Sequence, residues 1–135
     1  SDAALRDALH VAQLDAVVAG LPEGLDTLVG RGGVRLSGGQ RQRLAVARMV
    51  LADPQVVILD EATSALDSAT EARLHGALER FLAGRTTLII AHRLSAVRRA
   101  DRVLVIEHGR VVEQGRHEDL IDGDGLYATL YAPQA

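Results

Sequence analysis

Two short apolar runs, Val56-Val57-Ile58-Leu59 and Thr86 to Ala91, constrain this chain more than any other feature. Each is continuous rather than alternating, as parallel strands covered on both faces read, and each is shorter than an ordinary helix. Between them, Ser68 and Glu71 have the spacing of a capping box, which predicts a helix from there to about Leu82. A strand, a helix and a second strand in that order make a parallel crossover unit. The expected fold class is therefore α/β with mostly parallel strands, both of these runs being buried.

The flanking segments read as helix and hairpin. Leu5, Leu9, Ala12 and Val17 recur at helical spacing, predicting one amphipathic helix over Ala3 to Val18, with Asp2 to cap it and Gly20-Leu21-Pro22 to end it. Residues 20 to 35 hold Gly20, Gly24, Gly30, Gly32 and Gly33 and read as an irregular connection. A helix over Gly38 to about Leu51 stops at Asp53-Pro54. After a short helical stretch near Ser95 to Arg99, Arg102–Glu107 and Arg110–Gln114 form a β-hairpin about His108-Gly109, and two short helices close the chain. The expected division is a helical part over 1–52 and a sheet-bearing part over 53–135.

Composition excludes several classes of function. A net charge of -3 without a basic block argues against a nucleic-acid partner. All 15 basic residues are arginine, so these residues contain no GxxxxGK[ST] phosphate loop, whose lysine reaches the terminal phosphates. Cysteine is absent, which removes disulfides and thiolate metal sites and fits a cytosolic setting. No apolar run approaches the roughly 18 residues of a membrane span, so the chain is expected to be soluble and to meet a membrane only through a partner.

Three places carry chemistry. Ser37-Gly38-Gly39-Gln40 stands where a loop becomes a helix: Ser37 can cap, while glycines leave backbone N–H groups and the positive end of the helix dipole open to an anion. An ordinary serine cap is the alternative. Asp60 and Glu61 end the first apolar run, where open α/β sheets bind ligands. One can hold Mg2+ through water and the other can accept a proton from water, or both are solvated acids at a helix entry. His92 ends the second run at the same sheet edge, as a phosphate sensor or a hydrogen-bonded structural residue. His10, His75, His108 and His117 read as surface residues.

Together, LSGGQRQRLAVAR at Leu36 to Arg48, VVILDEATSALD at Val56 to Asp67 and TTLIIAHRLS at Thr86 to Ser95 resemble the signature, Walker B with D-loop, and switch-histidine segments of ABC transporter ATPase domains. The likeness continues through ADRVLVIEHGRVVEQGRHEDL and back to LPEGLDTLVG, and so covers essentially the whole chain. It implies the C-terminal half of an ATP-binding domain, most like exporters whose ATPase is fused behind a transmembrane domain. It also implies that Ser37, Gly38, Gly39 and Gln40 contact the γ-phosphate of ATP held by a second ATPase domain. Asp60 then positions Mg2+, Glu61 is the general base, and His92 contacts the γ-phosphate. Ser64, Ala65, Leu66 and Asp67 match the D-loop, which crosses to the facing domain.

Two departures accompany the resemblance. Exporters usually read VGERG before the signature, whereas Val29-Gly30-Arg31-Gly32-Gly33 puts an arginine in place of an acid at a segment that touches the transmembrane domain. The adenine-stacking aromatic, the phosphate loop and the glutamine loop of the family have no counterpart ahead of Ser1, so the chain is expected to be inactive alone. The family's strand order would place the missing phosphate-loop strand between Thr86–Ala91 and Arg102–Glu107, leaving two open edges that repack or promote self-association. Two other readings remain: a regulatory fragment docking on a complete ATPase, and a DNA-repair or chromosome ATPase, which would show heptads before Leu36.

Overall fold

The computed structural model describes residues 1–60, 65–91 and 93–131. In chain order the elements are α1 (Asp2–Val11), α2 (Asp15–Ala19), a 3-10 turn (Gly24–Asp26), α3 (Gly38–Ala52), β1 (Val56–Asp60), α4 (Ser68–Leu82) and β2 (Thr86–Ile90), followed by α5 (Leu94–Val97), β3 (Val103–Glu107), β4 (Arg110–Gly115), α6 (His117–Ile121) and α7 (Leu126–Tyr131). They form two compact units, Ser1–Leu88 and Ile89–Ala135.

In the first unit α1 packs on α3 and α4 around Ala8, Leu9, Val46, Ala47, Leu74 and Leu78. The single helix expected over Ala3 to Val18 is broken in two. Gln13 takes a left-handed φ of 58, and its carbonyl accepts a 2.6 Å hydrogen bond from Arg43 Nη1 on α3. The break buries both Ala12 (0% exposed) and Leu14 (3%), two positions apart, which a continuous helix would point in different directions. The cap also differs from expectation. Ser1 is the N-cap, its hydroxyl accepting from the Ala4 N–H, and Asp2 is the first helical residue.

β1, α4 and β2 form the expected crossover unit. β1 and β2 are paired, and the Thr86 N–H donates to the Gln55 carbonyl at 3.1 Å, so the strands start side by side and run parallel. α4 begins at Ser68 as the pattern predicts, but its N-cap is Asp67, whose carboxylate accepts from the Thr70 N–H at 2.9 Å. Hydrogen bonds from the Thr70 side chain, and then its backbone, hold the Asp67 carboxyl below the ordinary carboxylate range. An aspartate one residue earlier is the stronger acceptor, which is why it displaces Ser68 as cap.

Arg85 closes this unit. Its guanidinium donates to the carbonyls of Phe81 and Pro54 at 2.8 Å each and to Asp53 Oδ1 at 2.7 Å, and lies 4.2 Å over the Phe81 ring. It thereby ties the end of α4 to the start of β1. Arg85→Met is expected to cost roughly 2 to 3 kcal/mol, chiefly through the two carbonyls it leaves short of a charged donor. Asp53 is exposed and adds little. Urea denaturation checks this as a lowered midpoint at unchanged slope.

The expectation that both runs are buried on both faces is not met. Val57 is 2% exposed, but its neighbours Val56 and Ile58 are 62% and 64% exposed, and Leu88 and Ile90 of β2 are open as well. Only Val57 of β1 is buried, and in β2 the consecutive Leu88, Ile89 and Ile90 are all exposed, so the continuous apolar runs are largely uncovered.

The second unit is built on the β3–β4 hairpin. His108 and Gly109 both take left-handed φ values, 48 and 75, as a two-residue turn matched to strand twist requires. Val105 pairs with Glu113 and Ile106 with Val111, so Val112 is the extra residue of a β-bulge. Glu113 on β4 caps α7, accepting the Tyr127 N–H at 2.9 Å. His117, expected on the surface, is buried instead. Arg98 Nε–H donates to its Nε2 at 3.4 Å, which leaves Nδ1 to meet the Tyr127 hydroxyl at 2.7 Å. Burial pushes the Tyr127 phenol above its ordinary value. Among the described residues β2 is paired with β1 and β3 with β4, in two two-stranded sheets.

Candidate functional site

The start of α3 is the best-defined part of the predicted site. Ser37 and Gln40 form a complete capping box: the Gln40 N–H donates to Ser37 Oγ at 3.1 Å and the Ser37 N–H donates to Gln40 Oε1 at 2.9 Å. Both residues are thus engaged in fixing the helix start. Gly38 and Gly39 occupy the first two helical positions, whose N–H groups have no acceptor within a helix. The 15 residues of α3 add the dipole that favours an anion at this end.

The two glycines are not equivalent. A methyl carbon at Gly38 would meet nothing closer than Ala65 Cβ at 3.8 Å, so internal packing does not demand glycine there. At Gly39 it would stand 3.0 Å from both the Ala65 carbonyl oxygen and Leu66 Cδ2. Gly39 therefore admits the 65–67 segment against the helix, while Gly38 leaves the outer surface of the turn open.

The remaining residues of the segment are also occupied. Arg41 Nη1 donates to the Leu36 carbonyl at 3.2 Å, Arg43 reaches Gln13, and Gln42 Oε1 accepts the Ala65 N–H at 3.2 Å. Sequence reasoning missed Gln42, Arg43 and Arg85, because each acts on a carbonyl or N–H more than twenty residues away. Their shared signal is a long polar side chain on a half-buried face, which marks a helix surface without naming its partner.

Asp60 ends β1 and is exposed. Glu61, Ser64 and His92 lie outside the described residues. The structure thus brings Gly38 and Gly39 together with Ala65 and Leu66, and places Asp60 at the strand end. Asp67 faces α4 as its cap. Among the described residues no group of three His, Asp or Glu side chains gathers as a metal site. A lone carboxylate fits Mg2+, which keeps most of its waters and takes one or two carboxylates alongside phosphate oxygens. No helix of the described residues is long and apolar enough to cross a membrane.

In chain order, a glycine-started, serine-capped helix precedes the parallel crossover unit. The family model described as ABC transporter matches residues 7–64. The ATP-dependent lipid A-core flippase of Burkholderia orbicola (strain AU 1054) is 58% identical over 98% of this chain, and that of Ralstonia nicotianae is 57% identical over 98%. The chain spans 22% of the length of each of these relatives. A solved structure of a bacterial Atm1-family ABC exporter with ATP bound superposes over 100% of the chain with a TM-score of 0.91 at 44% identity, matching 24% of that protein. By these matches the chain is similar to part of the ATP-binding domain of ABC transporters, and within them to the exporter type.

Proposed function

We propose that this chain supplies the signature, Walker B and switch-histidine groups of an ATPase that powers export across a membrane. The observation that carries the proposal is the α3 start, where a fully formed capping box fixes the turn, the Gly38 and Gly39 N–H groups have no acceptor within the helix, and the space beside Gly38 is open. Those donors and the helix dipole suit a terminal phosphate. The nucleotide itself would be held by the phosphate loop of a second ATPase domain, so the signature closes a site that it does not build alone.

Within that site Asp60 would hold Mg2+ through water, Glu61 would take the proton of the attacking water, and His92 would keep that water and the γ-phosphate in register. Mg2+, when bound, neutralises charge on the phosphate oxygens. Asp67, capping α4, would orient the D-loop toward the facing domain. Positioning and charge stabilisation of this kind supply most of the catalysis in phosphoryl transfer. Residues 1–52 would then present the signature, and residues 53–135 would contribute to the catalytic core.

The whole protein would sit at the cytoplasmic side of a membrane through a transmembrane domain. Its cargo would be chosen outside this segment. The flippase relatives at 58% identity favour a lipid over the cargo of the exporter matched at 44%. The exposed apolar side of β1 and β2 would be covered by the rest of the ATPase domain, and in the isolated chain by a second copy.

Ser37→Asp in the full-length protein tests the phosphate contact apart from the cap. Aspartate caps a helix as well as serine does, so α3 should keep its helicity by circular dichroism. Its charge would face the incoming phosphate, and ATP turnover should fall roughly tenfold or more, the effect of about 1.4 kcal/mol at the transition state. Turnover at the wild-type rate would contradict a phosphate at this turn.

A further inference from the structure

The first turns of α3 carry a second short segment, Ala65-Leu66-Asp67, and one side chain of that helix holds it. The Ala65 N–H donates to Gln42 Oε1 at 3.2 Å, and the Ala65 carbonyl lies 3.0 Å from where a side chain at Gly39 would begin. Leu66 then packs against the first unit's core, and Asp67 leads into α4 by capping it. Ala65 is thus held at its N–H by a side chain of α3, while its carbonyl lies close beside Gly39.

Gln42 and Gln40 differ in what they hold. Gln40 folds back on Ser37 and serves the helix's own start, whereas Gln42 reaches a residue 23 positions further along the chain. Helix α3 is rigid over this distance, so any shift of the Ser37–Gly39 turn carries Gln42 with it. Through Ala65 that shift reaches a segment only four residues beyond Glu61 and five beyond Asp60.

We propose that Gln42 is a positioning residue, which ties Ala65–Asp67 to the phosphate-facing end of α3 so that the ligand turn and the carboxylates Asp60 and Glu61 stay in register. The proposal rests on the ATPase reading above. Gln42 touches no reacting atom. It acts through the backbone of Ala65, and it needs an acceptor oxygen at the right reach rather than an amide as such.

The test uses the full-length protein with Gln42→Leu and Gln42→Met, which keep bulk without an oxygen acceptor, and Gln42→Glu, which keeps the oxygen. Two readouts are taken: amide hydrogen exchange over Ala65–Asp67, and ATP turnover resolved into kcat and KM. Either acceptor-free variant should speed exchange by roughly tenfold or more. It should also lower kcat by roughly tenfold or more with KM within about twofold, since nucleotide is bound elsewhere. Gln42→Glu should keep exchange slow and recover kcat to within about threefold of wild type. Wild-type exchange in both acceptor-free variants would overturn the tether. Fast exchange with unchanged kcat, or equal losses in the Glu variant, would overturn the positioning role. A wild-type protein without ATPase activity would defeat the ATPase reading instead, and exchange alone would then decide the tether.

Discussion

Glu61→Gln in the full-length protein is expected to bind ATP and leave it unhydrolysed, with turnover reduced by roughly a hundred- to ten-thousand-fold. Glutamine keeps the size of the side chain and can still hydrogen-bond the attacking water, but its amide cannot accept the proton. The α3 turn, Asp60 and the segment held by Gln42 are untouched, so every contact proposed to close the site on ATP survives. The two ATPase domains should therefore remain closed on nucleotide. Single-turnover measurement with radiolabelled ATP separates the two steps: bound label without released phosphate is the expected pattern. Release at the wild-type rate would mean that another group activates the water.

The second large effect is on folding. Leu74 is fully buried on α4, within the cluster formed by Ala8, Leu9, Val46 and Ala47 from α1 and α3. Leu74→Ala should cost about 3 to 5 kcal/mol, the removed methyl groups adding to a cavity that three helices cannot all close around. Against the roughly 5 to 15 kcal/mol of a whole domain, that is a third or more of the total. Leu74→Met, which nearly conserves volume, should cost less than about 1.5 kcal/mol. Denaturant titration distinguishes them. Similar midpoints for the two variants would show that the α1–α3–α4 cluster does not organise the unit. The same cluster orients α3, so loss of function in Leu74→Ala should follow loss of fold rather than precede it.

What could be read from sequence follows how local each interaction is. Ser37 as cap, the glycine-started α3, the stop near Asp53-Pro54 and the His108-Gly109 hairpin turn all depend on neighbours within a few residues, and all are in the structure. Two of the failures have distant causes. The break at Gln13 is stabilised by Arg43, thirty residues on, and no periodicity in Ala3–Val18 could show it. His117 looked like a surface residue because its partners, Arg98 and Tyr127, come from α5 and α7.

The candidate site shows the same division. The pair Gly38-Gly39 was legible as an opening for a ligand, yet the need for glycine at 39 arises from Ala65 and Leu66 on a different element. The Ser68 to Glu71 pattern placed the start of α4 correctly but named the wrong cap, since Asp67, one residue earlier and charged, accepts the Thr70 N–H in its place. Burial of the strands was overestimated because an apolar run records what a strand face can be covered by. Val56, Ile58, Leu88 and Ile90 are apolar and exposed. The roles of Glu61 and His92 rest on resemblance, and enzymology of the variants decides them.

The central claim is that this chain completes an ATP site whose nucleotide-holding groups lie elsewhere. Calorimetric titration of Mg-ATP into the isolated chain tests it most directly. The chain has no lysine to reach the terminal phosphates. The contribution proposed for it is the α3 turn with Asp60 and Glu61, so no saturable binding in the micromolar range is predicted. A low-micromolar dissociation constant with one site per chain amounts to about 7 to 8 kcal/mol, and would contradict the account by requiring a complete nucleotide site within these residues.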